Sequence, residues 1–178
     1  YYYLLEDYLL YGDKTTKFNG KVYELIPNPY DSSIDSKNDK RIMEKDGHRI
    51  QIRKEFNVLN GLLHGSYNFY DDRGKLKKQY TYQFGKLDGP FREYCDEFYS
   101  GRNNVIRTSV NFKDGKKEGL YNSNYCSTNS KSEIGTYLDG KKEGKWIEYS
   151  RDGKILRIKL FENGLYKVDL EIPSVTVE

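Results

Sequence analysis

The sequence predicts an all-β fold, an elongated single-layer antiparallel meander of repeated β-hairpins. Three observations predict it. A skeleton of the form aromatic-x-x-Gly-x-x-x-Gly-x-aromatic-x-x-Tyr recurs along the chain. Its clearest copy spans residues 137–149 and carries Tyr137, Gly140, Gly144, Trp146 and Tyr149. Turn dipeptides punctuate the stretches between copies, and no stretch shows a stripe of helical period. Finally, hydrophobic residues make up only 36 % of the chain, while tyrosine alone supplies 18 residues. Rings with a polar tip suit a thin, half-wet sheet better than a thick aliphatic core.

The other copies are Tyr82, Gly85, Gly89, Phe91 and Tyr94; then Phe112, Gly115, Gly119, Tyr121 and, one residue late, Tyr125. An earlier copy, Val58, Gly61, Gly65, Tyr67 and Tyr70, opens on valine, and a half-copy, Phe161 and Gly164, has Val168 where the second glycine belongs. Successive first glycines lie 24, 30, 25 and 24 residues apart. A fixed period in this range marks a repeat architecture, in which each unit contacts only its neighbours.

Taken in order, residues 1–26 read as an opening hairpin and cap. An aromatic stretch runs to Leu10, Tyr11-Gly12-Asp13 makes a turn, and Asn19-Gly20 signals a second turn that leads into an alternating strand. Residues 27–41, with two prolines and many polar residues, read as an insertion or long loop. The array proper is expected over 42–166. Asp46-Gly47, Arg73-Gly74, Ser100-Gly101 and Asp152-Gly153 mark its hairpin turns, since glycine supplies positive φ without steric cost. Residues 167–178 are expected to form a C-terminal cap or tail.

Within a copy, fixed offsets place each aromatic class on one sheet face, where it stacks on its counterpart in the next copy. The two glycines suggest a bulge, or a tight bend crossed by a neighbour's ring. The triplets between them, such as Lys116-Lys117-Glu118 and Lys141-Lys142-Glu143, are charged and read as solvated connections. Cys95 and Cys126 occupy equivalent positions in consecutive copies. Equivalent positions one hairpin apart are roughly 10 Å apart. A disulfide tolerates at most about 7 Å between Cα atoms, so two free thiols are expected.

The words Tyr-x-x-Gly-Lys-x-x-Gly-x-Trp-x-x-Tyr and Asp-Gly-Lys-Ile over residues 137–155 resemble the bacterial variant of the MORN repeat. The opening Gly12-Asp13-Lys14 and Phe18 to Tyr23 resemble the start of YwqK-type antitoxin-like proteins. The resemblance covers most of residues 8–166, and departs at the insertion and at the longer spacing between Gly85 and Gly115. It implies a β-hairpin array that serves as a spacer, dimerisation surface or protein-binding platform. Phospholipid binding and an antitoxin-like protein partner are further implications of the resemblance.

The residues themselves point to binding rather than catalysis. His48 and His64 lie far apart near turn signals, with no Cys or Asp at ligand spacing, so neither a metal site nor a general base is expected. No cofactor is expected. Lysine and arginine exceed acids by only 30 against 27, and the two signs alternate, so nucleic acid is not an expected partner. The expected function is a non-enzymatic module for protein–protein interaction or scaffolding, with a homodimer through open sheet edges also allowed. Tyr70, Tyr94, Tyr125 and Tyr149 form a recurring stripe that either packs between strands or serves as an interface. The alternative is peripheral association with anionic lipid through Lys116, Lys117, Lys141, Lys142 and their neighbours Lys113 and Lys145. No apolar run has the length of a membrane-spanning helix. The sequence opens on Tyr1 without a methionine, so an upstream segment is expected to have been removed. The sequence leaves the compartment open: cytoplasm, or the cell envelope if a signal or lipid anchor came first.

Overall fold

Fourteen strands and the turns between them account for nearly everything in the computed structural model, which describes residues 2–5, 19–27, 42–45, 48–96, 100–101 and 104–172. For residues 2–5, 26–27, 42–45 and 48–50 only the backbone is described. The fold is all-β, an antiparallel meander of hairpins. It divides into two compact units, Tyr1–Leu87 and Asp88–Glu178.

In the first unit, β1 (Tyr2–Leu5) pairs antiparallel with β2 (Gly20–Pro27). The turn signal between them, at residues 11–13, lies outside the described residues. Asn19-Gly20 does not form a turn: Gly20 is the first residue of β2 and pairs with Val58. β2 then runs beside β4 (His48–Leu59) over its whole length, so the chain on either side of the 28–41 stretch belongs to one sheet. The expected insertion lies outside the described residues, apart from Pro27, which ends β2. β3 (Ile42–Lys45) pairs with the first residues of β4, and β5 (Leu62–Tyr70) with the rest. β6 (Leu76–Gln83) follows β5, and the short β7 (Lys86–Leu87) folds back on it. A small core of Leu25, Ile52 and Tyr70, flanked by Tyr23 and Leu76, sits on one face.

The second unit is a continuous meander: β8 (Gly89–Tyr94), β9 (Ile106–Lys113), β10 (Lys116–Asn124), β11 (Lys131–Leu138), β12 (Lys141–Tyr149), β13 (Ile155–Glu162) and β14 (Leu165–Leu170). Its core is a row of rings. Tyr121, Tyr137, Trp146, Phe161 and Tyr166 follow one another with centroids 5.0 to 6.2 Å apart, mostly edge to face. Edge-to-face contacts suit the ring quadrupole. Trp146 is only 1 % exposed. The two offset classes interleave in this row: Tyr121 meets its counterpart Trp146, while Tyr137 and Phe161 meet rings of the other class.

The glycines depart from expectation. The first glycine of each copy is not a bend within a connection; it is the second residue of a two-residue hairpin turn. Asp139 and Gly140 both have positive φ, 50° and 82°, as a type I′ turn demands. Asn60-Gly61, Phe84-Gly85, Asp114-Gly115 and Asn163-Gly164 repeat the arrangement. The triplets are therefore the first residues of return strands, not connections. The second glycine does sit at a bulge: opposite Gly144, the β11–β12 register shifts between Ile134 and Thr136. No ring crosses it, however, since a Cβ on Gly144 would meet nothing within 4 Å. The ring-crossed glycine is Gly135, outside the skeleton, where a Cβ would lie 2.2 Å from the Trp146 ring.

Two further expectations are corrected. Ser100-Gly101 is not a tight hairpin turn; Ser100 N–H donates to the Asp96 carbonyl within the long connection between β8 and β9. Arg73-Gly74 and Asp152-Gly153 do form tight turns, closed by Gly74 N–H to Asp71 and Gly153 N–H to Ser150. Asp46-Gly47 lies outside the described residues. Cys95 and Cys126 are not free thiols. They form a disulfide with Cα atoms 5.5 Å apart. The two-strand spacing holds only while a strand lies between; β9 begins at Ile106, and beyond it the ends of β8 and β10 converge.

Candidate functional site

The most distinctive surface of the first unit is aromatic. Cross-strand pairing sets Tyr67 opposite Tyr80, Phe69 opposite Lys78 and Gly65 opposite Tyr82, and paired residues share a sheet face. These five side chains, Tyr67, Phe69, Lys78, Tyr80 and Tyr82, line an open groove of about 390 Å³. Phe56 stacks on Tyr67 at 5.2 Å, nearly parallel, and fixes that ring from behind. The Arg53 guanidinium lies 4.5 Å from the Phe69 ring centre and is held there by Asp72 at 2.6 Å. Burial, then the neighbouring Tyr80, pushes the Tyr82 hydroxyl above its ordinary pKa, so it stays a neutral donor.

Two residues beyond Tyr82 on β6, the row reaches Phe84 at the tip of a hairpin turn. The equivalent turn residues are Asn60, Asp114, Asp139 and Asn163, all types that tolerate left-handed backbone. Phe84 alone among them is bulky, yet it holds φ 45° and is 55 % exposed. Its ring lies 4.8 Å from that of His64, and the exposed Leu62 lies beneath the turn, 3.6 Å from the Cβ position of Gly85.

The turns are tied to one another along one border of each unit. Gly85 N–H donates to the Leu63 carbonyl, Gly140 N–H to Lys117 and Gly164 N–H to Lys142. Beside each bond, the third residue of the triplet accepts from the first turn residue. Glu118 accepts from Asp139 N–H and Glu143 from Asn163 N–H, both at 2.8 Å. Asp88 accepts from Asp114 at 3.2 Å, and His64 Nδ1 from Phe84 at 3.5 Å. The triplet acids thus serve the stacking of turns, a role the charge pattern alone did not suggest.

The candidate lysines are drawn into the same framework. Lys116 pairs with Asp139 at 2.6 Å; the bond raises the pKa of the lysine and lowers that of the aspartate. Lys117 lies 4.9 Å from the Tyr137 ring centre. Lys142 covers Trp146 at 3.7 Å and pairs with Glu133 at 3.2 Å. The Lys141 stem packs against Gly164, 3.3 Å from where its Cβ would stand.

The tyrosine stripe divides. Tyr70 is buried and donates to Glu55 at 2.9 Å. Tyr125 donates to the Tyr149 carbonyl at 2.8 Å, and Tyr94 and Tyr149 are half-buried at strand ends. His48 opens β4, and its side chain is outside the description. Among the described residues no group of three or more His, Cys, Asp or Glu is arranged to hold a metal ion. No helix among them is long and apolar enough to cross a membrane.

No protein-family model matches the chain, and no curated protein matches it. Sequence reasoning missed Phe69, Lys78, Tyr80 and Phe84. For Phe84 the signal was present: lining up the residue before each first glycine gives Asn, Phe, Asp, Asp and Asn.

Proposed function

We propose that the chain is a non-enzymatic protein-recognition module that binds through the aromatic face of its first unit, with Phe84 as the anchor. The carrying observation is Phe84 itself. A bulky residue in left-handed backbone costs about 1–2 kcal/mol relative to its preferred conformation, and half of the ring faces water. The ring contact with His64 at 4.8 Å, worth about 0.5–1.5 kcal/mol, returns only part of that. Strain kept at an exposed aromatic tip is accounted for by a contact made with something else.

The partner that fits is a protein segment bringing an apolar side chain to Phe84 and Leu62, both exposed, and a flat or hydrogen-bonding side chain to the tyrosines of the groove. Tyrosine and arginine are favoured interface residues. The likeness to MORN repeats, which serve elsewhere as binding platforms, supports the same reading, and an antitoxin-like partner is one case of it. The anionic-lipid alternative has less support, because Lys116 and Lys142 are ion-paired.

The test is capture of partners from the native organism with wild type and with Phe84→Asn side by side. A protein enriched by wild type and lost with the folded variant supports the reading. Equal capture by both, or binding only to phosphatidylserine vesicles, overturns it.

A further inference from the structure

The chain has two cysteines, and both are spent on one bond that the repeat pattern does not require. The Cys95–Cys126 bond closes a 31-residue separation that holds all of β9 and β10. It sits where the ladder ends. Cys95 N–H donates to the Val105 carbonyl at 2.8 Å, and Asn124 Nδ2 donates to the Ile106 carbonyl at 2.9 Å. The bond therefore fastens the open end of the β8–β9–β10 corner, the end next to the longest connection of the second unit.

We propose that this bond is made and kept in the working protein, so that the chain acts in an oxidising compartment, and that it is a lock rather than a redox switch. Its formation takes two protons and two electrons from the thiols. The acceptor is a disulfide-bearing oxidant, which leaves as a dithiol while the new sulfur–sulfur bond forms. The reverse reaction needs a thiolate to reach one sulfur and the other to leave as thiolate. Cys95 is 6 % exposed, beside the buried Val105, so attack is confined to Cys126, which is half-buried. Cys95 would then have to leave as a thiolate at a buried position, where taking a charge out of water is costly. A bond that is hard to open in the folded state is typical of proteins outside the reducing cytosol. The partner proposed above would then be met in the same compartment.

The experiment is to lyse native cells in N-ethylmaleimide, isolate the chain and map its peptides without reduction. The expected result is a cross-linked Cys95–Cys126 peptide with no adduct; maleimide on both cysteines in most of the chains overturns the proposal. A second measurement separates lock from switch. Purified oxidised protein is held in a glutathione buffer of cytosolic ratio, with and without urea. Reduction at least tenfold slower without urea supports the lock, and equal rates overturn it.

Discussion

Replacing Gly135 by alanine tests the ring row at its tightest point. Gly135 does not have positive φ, so on backbone grounds alone alanine should stabilise by about 0.4–1 kcal/mol. The space says the opposite. The added Cβ would stand 2.2, 2.3 and 2.7 Å from three atoms of the Trp146 ring, against about 3.5–4.0 Å for carbon contacts at rest. The ring would have to move by more than about 1 Å. It is held by Tyr121 at 5.2 Å, Tyr137 at 5.0 Å and Lys142 at 3.7 Å. Overpacking costs about 1–3 kcal/mol, and a lost ring pair about 0.5–1.5 kcal/mol. Set against the backbone gain, the expected net loss is about 2 kcal/mol. For a urea slope near 2 kcal/mol/M, that moves the unfolding midpoint down by about 1 M. Trp146 is the chain's single tryptophan, so its fluorescence reports both unfolding and ring displacement. Gly135→Ala as stable as wild type, with unchanged emission, would refute the packing argument. Gly144→Ala is the contrast: it meets open space at φ 67° and should lose only about 1–2 kcal/mol from backbone strain, with the emission unchanged.

Other outcomes follow from the same geometry. Removing the disulfide by Cys95→Ser with Cys126→Ser frees a loop of 31 residues, for which chain entropy predicts a loss of about 4 kcal/mol and a melting temperature lower by about 10 °C; scanning calorimetry measures it. Glu143→Ala removes the acceptor for Asn163 N–H and should cost about 1 kcal/mol in denaturant unfolding, with the turn itself retained. The hydrogen bond from Lys159, reinforced by Arg157, holds the Glu148 carboxyl below its ordinary value of 4.5. A depressed folded pKa contributes stability that is present above the unfolded value and is lost as pH falls through the folded one. Glu148→Gln should therefore be less stable than wild type at pH 7, and the gap should narrow as pH drops below 4.5.

Much of the architecture was legible because strand side chains alternate and a repeated strand repeats its faces. Tyr121 with Trp146, and Tyr137 with Phe161, could each be assigned to a common face from spacing alone; that the two classes share one row comes from the register. The same reasoning misplaced the triplets. Lysine and glutamate are as compatible with an exposed strand start as with a loop, and the paired positive φ of Asp139 and Gly140 is what distinguishes them. Gly135 carried no signal, since the residue that makes it indispensable, Trp146, comes from the next strand. The disulfide was misjudged because the strand-spacing rule was applied past the end of β9, where no strand separates its neighbours. The groove was missed for a different reason. Phe69, Lys78 and Tyr80 lie outside the skeleton, and only the β5–β6 register brings them beside Tyr67 and Tyr82.

Equilibrium unfolding of Phe84→Asn tests the account's central claim without any knowledge of the partner. If Phe84 is kept for recognition, asparagine relieves the left-handed strain and gives up only one ring contact with His64, so stability should equal or exceed wild type by up to about 1 kcal/mol. A variant less stable by more than about 1 kcal/mol would make Phe84 a structural residue, and the recognition site would have to be sought elsewhere.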